Sequence, residues 1–145
     1  MTSEHERYMR IALEEAHKGK AEGNVAVGSI IVSGGEVIAS GRNLVATTSD
    51  VTAHAETVAI REAGSSTGRT EFQGCTLYTT FEPCPMCAGA IMNGNFEAVV
   101  MGGRPTSSDT RWAEYTIEKL VEMAGWSDRL AVVTGVLSRE CEEIR

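Results

Sequence analysis

His54 and Glu56 stand two residues apart, and further along the chain Cys84 and Cys87 stand three apart with Pro85 and Met86 between them. No other feature constrains the fold as tightly. On an α-helix, positions two apart are separated by about 200° around the axis. His54 and Glu56 therefore cannot share a side face, and they serve one site only from the tip of a helix. Cys84 and Cys87 share one face of a helical turn. Pro85 suits the first helical position, where its missing N–H costs nothing. Both segments ask for two helix N-termini meeting at one point, where the positive helix ends favour thiolates.

The remaining pattern supplies a frame for such a meeting. Ser3 and Glu6 have capping-box spacing ahead of a helix whose apolar stripe is Tyr8, Met9, Ala12, Leu13 and Ala16. Lys18 and Lys20 suit its C-terminal dipole, and Gly19 or Gly23 ends it. Strands are predicted over Val25–Val32 and Val37–Ser40, joined by a Ser33-Gly34-Gly35 turn. A polar loop, Asn43–Thr52, leads to a second helix over about Ala53–Ala63, and Ser65–Gly74 is a loop. Cys75–Thr80 is a third strand, Pro85–Asn93 a third helix and Ala98–Met101 a fourth strand. The loop Gly102–Thr110 precedes a fourth helix over Thr110–Ala124, a short strand Leu130–Thr134 and a last helix Ser138–Ile144. This order predicts an α/β domain spanning 1–145, a central sheet with helices on both faces.

Composition narrows the setting. With 145 residues, 42% hydrophobic and 23% charged, the chain has the profile of one soluble domain. It has no apolar run long enough for a membrane span, and Met1–Glu15 lacks the apolar core of a secretory signal. The expected location is cytoplasmic, where a Cys-x-x-Cys pair binds metal or does redox chemistry rather than forming a structural disulfide. Cys75 and Cys141 read as small buried hydrophobes, His5 and His17 as solvent-facing, and Trp126 as core. Net charge is -7, and the only lysines are Lys18, Lys20 and Lys119. That balance argues against a polyanionic partner and for a small neutral substrate.

One His and two Cys are good zinc ligands, and three protein ligands leave the fourth position that catalytic zinc keeps for water. Zinc acidifies such a water, and Glu56 is placed to move its proton. Two other readings remain open: a thioredoxin-like redox pair, and a closed structural zinc with an unrelated Glu56.

His54-Ala55-Glu56 together with Pro83-Cys84-Pro85-Met86-Cys87 resembles the zinc-dependent nucleobase and nucleoside deaminase superfamily, of the cytidine deaminase fold. The likeness runs from about Met9 to Gly103 and takes in the hairpin, Asn43 and the Thr76–Thr80 run. It looks like the branch holding guanine deaminases, fungal-type cytosine deaminases and tRNA adenosine deaminases. The resemblance implies a three-layer α/β/α sandwich around a five-stranded mixed sheet, commonly dimeric. It implies zinc held by His54, Cys84 and Cys87, and Glu56 as the proton carrier. Asn43 would hydrogen-bond the substrate ring, Phe81 and Val25 would line its pocket, and the Ala55 and Cys84 N–H groups would orient it. Asp109, Trp112, Tyr115, Glu142 and Glu143 are candidates to close that pocket.

The stretch after the fourth strand departs from the tRNA enzymes, which carry Gly-Ala-x-Asp and Gly-Ala-x-Gly-Ser there. This chain has Gly102-Gly103-Arg104-Pro105 running on to Trp112, and it ends on Arg139-Glu-Cys-Glu-Glu-Ile-Arg145 rather than a basic helix. The expected substrate is therefore a free heterocyclic base with no nucleic-acid or membrane partner. Guanine or another amino-purine or amino-triazine comes first, because of the His-Ala-Glu usage, and cytosine second. The alternatives are a tRNA-editing adenosine deaminase and a non-catalytic zinc protein on the same fold.

Overall fold

The computed structural model describes residues 2–106, 108 and 110–145. Helix α1 (Thr2–Ala21) is followed by the hairpin β1 (Gly28–Ser33) and β2 (Glu36–Arg42). A one-turn helix α2 (Val45–Thr48) and α3 (Ala55–Thr67) lead to β3 (Cys75–Phe81), α4 (Pro85–Asn93) and β4 (Ala98–Gly103). The chain closes with α5 (Ile117–Met123), β5 (Ala131–Val133) and α6 (Ser138–Glu143). The five strands form one mixed sheet in the order β2-β1-β3-β4-β5. β1 runs antiparallel to both of its neighbours, while β3, β4 and β5 are parallel.

Side-chain alternation along the strands builds two cores. Ile31, Leu77, Val99 and Met101 face Ala59 and Ala63 of α3, Ile91 of α4, and Ile117 and Val121 of α5. Ile30, Val32, Tyr78 and Val100 face Met9, Ala12 and Ala16 of α1, and Cys141 and Ile144 at α6. The architecture is the expected three-layer α/β/α sandwich. Among the described residues no helix is long and apolar enough to cross a membrane.

The backbone layers touch at two glycines. A Cβ on Gly28 would lie 2.0 Å from the Ala12 carbonyl oxygen, and one on Gly41 would lie 2.5 Å from the Ala59 nitrogen and 2.6 Å from the Ala55 oxygen. The first turns of α3 thus rest directly on β2. Gly41→Ala must push α3 outward, and a loss of about 3 kcal/mol is expected by urea denaturation.

Several boundaries differ from the sequence expectation. The first strand begins at Gly28, not Val25, because Val27 N–H donates to the Val25 carbonyl (2.9 Å) in a tight turn that leaves Val25 51% exposed. The polar loop after Asn43 contains α2. The second helix runs on through Ser65–Thr67 to a left-handed cap at Gly68, φ 74°, with the Thr67 hydroxyl bonded back to the Ala63 carbonyl at 2.6 Å. The largest correction concerns 110–116, which is not helical. Ala113 is left-handed (φ 53°), and the helix starts only after Thr116, whose hydroxyl accepts the Lys119 N–H at 3.1 Å. Trp112 and Tyr115 therefore sit on irregular backbone rather than on one helix face. Cys75 and Cys141 are fully buried, Trp126 packs against the core and His17 is exposed. His5 is half-buried, its Nδ1 2.8 Å from the Tyr78 hydroxyl, rather than solvent-facing.

Candidate active site and zinc centre

Short-range hydrogen bonds lock the chain on either side of His54. The Asp50 carboxylate accepts from the Thr52 N–H (2.9 Å) and hydroxyl (2.7 Å), closing a turn ahead of the helix. His54 is then the extended N-cap of α3, φ -75° and ψ 159°. The Thr57 hydroxyl reaches back to the His54 carbonyl at 3.0 Å. Cys84 is the extended N-cap of α4, φ -69° and ψ 171°, with Pro85 in the first turn. Ala55 and Glu56 thus occupy the first two positions of α3, and Cys87 lies in the first turn of α4.

The two tips meet as their spacing requires. His54 Nδ1 lies 3.6 Å from Cys84 Sγ and 3.5 Å from Cys87 Sγ. Tetrahedral zinc, with Zn–S near 2.3 Å and Zn–N near 2.05 Å, requires an N···S separation of about 3.6 Å. The donor set therefore fits zinc in both chemistry and span. Among the described residues the cluster holds these three ligands, the complement of a catalytic rather than a closed structural site.

Electrostatics mark the same point. The Cys84 thiol is lowered to about 4, chiefly by its hydrogen bond with Cys87 and then by His54. Cys87 moves up, chiefly through the same hydrogen bond and then through burial. The bond with Cys84 raises the His54 imidazole against the effect of burial. A cation entering the cluster displaces these protons. Glu56 is 3% exposed; burial raises its carboxyl above the usual carboxylate range, against the lowering effect of the nearby Thr79 hydroxyl.

A cavity of about 340 Å³ opens onto His54, Glu56 and Cys84. Val25, Asn43, Ala55, Phe81 and Trp112, all singled out from sequence, line it, as does Tyr115. Asn43 is buried, and its Oδ1 accepts the Val45 N–H at 3.0 Å. Trp112, 42% exposed, stands at the mouth. Asp109 lies outside the described residues. Glu142 and Glu143 are not in the wall: Glu142 accepts the Arg104 N–H at 3.1 Å, and Glu143 faces a groove beside α1. The wall also includes Val27, Glu82, Arg111 and Arg145, to which the sequence reading gave no role. Glu82 adjoins Pro83-Cys84, the one local signal that could have drawn notice.

Comparison with known proteins agrees with this geometry. Residues 2–103 match the family model described as the cytidine and deoxycytidylate deaminase zinc-binding region. A tRNA-specific adenosine deaminase of Bacillus subtilis (strain 168) is 38% identical over 136 residues, covering 94% of this chain and 83% of the relative. The cytosine deaminase of Candida albicans is 38% identical over 103 residues, 70% of this chain and 68% of the relative. A solved structure from a study of A-to-I editing by tRNA:A34 deaminases superimposes with a TM-score of 0.82 at 32% identity, covering 96% of this chain and 99% of the other. By its two motifs, its sheet order and these matches, the chain belongs to the zinc-dependent cytidine and deoxycytidylate deaminase family.

Proposed function

We propose that the chain catalyses hydrolytic deamination of an aminated nucleobase ring, with Glu56 as the proton carrier. One observation carries this reading: the buried Glu56 carboxyl shares a ring-sized cavity with the His54 and Cys84 ligands. Zinc held by His54 Nδ1 and the two sulfurs acidifies water and so makes a nucleophile available at neutral pH. Glu56 takes the proton of the attacking water and passes it to a ring nitrogen. It then takes the remaining proton from the hydroxyl now on the ring carbon and delivers it to the amine, so that the C–N bond breaks, ammonia leaves and the oxygen stays as the ring carbonyl. Burial raises the Glu56 carboxyl, which suits a group that must hold each proton before handing it on. The first N–H groups of α3, starting with Ala55, have no intrahelical acceptor and are donors for substrate oxygen or nitrogen. Asn43 spends Oδ1 on Val45 and offers Nδ2 to the ring, while Phe81 and Val25 form apolar wall. Asn43→Asp keeps the Val45 turn but loses that donor; kcat/KM is expected to fall tenfold or more, about 1.4 kcal/mol, with an unchanged melting temperature.

The ring arrives, on this proposal, as adenosine within tRNA. The 38%-identical relative, matched over 94% of this chain, carries that name, which weighs against the expectation of a free base and no nucleic-acid partner. A free base is the second reading, favoured by the net charge of -7 and by the Gly102–Trp112 stretch, which departs from the tRNA enzymes. The zinc-loaded protein is to be incubated with an anticodon stem-loop bearing a wobble adenosine, and separately with guanine, cytosine and adenine. Inosine in the stem-loop supports the first reading. Ammonia from free bases alone supports the second.

A further inference from the structure

Glu82 takes no part in the chemistry above, yet its side chain is heavily engaged at the rim of the cavity. Its carboxylate is nearly buried, with 6% of the side chain exposed. Oε1 accepts from Arg104 Nε at 3.4 Å, and Oε2 accepts from Arg104 Nη2 at 3.2 Å and from the Ile117 N–H at 2.8 Å. The residue's own N–H donates to the Gly103 carbonyl at 2.9 Å. Arg104 follows β4 on the N-terminal side of Trp112, and Ile117 is the first residue of the helix on its C-terminal side. Glu82 thus ties the chain on both sides of Trp112, and Arg104 is paired with Glu118 of α5 as well. Tyr115, two residues before Ile117, adds a further tie, its hydroxyl donating to the Pro83 carbonyl at 2.6 Å. Two residues on from Glu82 lies the ligand Cys84.

We propose that Glu82 is a positioning residue, registering the Trp112-bearing segment against the metal-ligand segment so that the mouth of the cavity is set relative to the reacting atoms. With both oxygens engaged by protein donors, Glu82 acts through Arg104 and Ile117 rather than on substrate. A charge-assisted carboxylate satisfying a helix-start N–H and a guanidinium together is a rigid link. Glutamine in its place gives up the charge and half of the acceptor capacity.

The test uses the zinc-loaded full chain in a Trp126→Phe background, which leaves Trp112 as the sole tryptophan. Glu82→Gln is expected to keep one zinc per chain and to raise acrylamide quenching of Trp112. It is expected to raise KM about tenfold with kcat within about threefold of the parent. Arg104→Gln, a change at a partly exposed position, is expected to give the same signature. Quenching and zinc content require no substrate, so failure of this proposal is distinguishable from failure of the deaminase reading on which the KM expectation rests. Parent-like quenching and KM in both variants overturn the proposal. So does loss of zinc in Glu82→Gln with kcat falling in proportion, which would place Glu82 in support of Cys84 instead.

Discussion

Glu56→Gln is expected to lower turnover by at least about 10²-fold while binding the same zinc and melting within a few degrees of the parent. Glutamine matches glutamate in shape, so the buried space beneath the first turn of α3 stays filled. What it cannot do is accept a proton from water and return one to a leaving amine. The carboxyl sits at 3% exposure, where bulk water is poorly placed to substitute for it. Steady-state ammonia release, with zinc measured on the same samples, checks this. Near-parent turnover in a zinc-replete Glu56→Gln protein contradicts the assigned role.

Removing zinc is the second large effect. Chelation is expected to abolish turnover and to lower stability by about 3 kcal/mol or more, roughly 10 °C in melting temperature for a chain of this length. The size follows from where the ligands sit. His54 caps α3 and the cysteines begin α4, so the ion joins two helices that otherwise contact each other sparsely and reach the sheet separately. Without it, the imidazole and the two sulfurs are held together only by weak sulfur hydrogen bonds. Calorimetry before and after chelation, then after re-addition of zinc, measures both effects. Full turnover in metal-free protein contradicts the account.

The zinc cluster was legible because its spacing is a statement about helix geometry. Two residues between His54 and Glu56 demand a helix tip, and Cys84-Pro85-Met86-Cys87 demands another; both tips are where that argument places them. The strands were legible in their β-branched runs, apart from Val25 and Val27, which line the cavity rather than extend the sheet. In the segment 110–116 the helical spacing of Trp112 and Tyr115 yields to a tertiary contact, the Tyr115 hydroxyl bonding the Pro83 carbonyl. No local pattern reports a left-handed Ala113. Glu82 and Arg104 are far enough apart in sequence that only the folded β3 and β4 bring them together. Substrate choice was the least legible part. Net charge describes the whole surface, whereas recognition depends on the few residues around one mouth.

The most direct test of the central claim is turnover in ¹⁸O-labelled water by the zinc-loaded chain, with the tRNA stem-loop and the free bases as substrates. The account predicts one ammonia released per ring converted and one labelled oxygen on the product, both at least about 10²-fold slower in Glu56→Gln. Zinc-replete protein that leaves every ring unlabelled and releases no ammonia would contradict it.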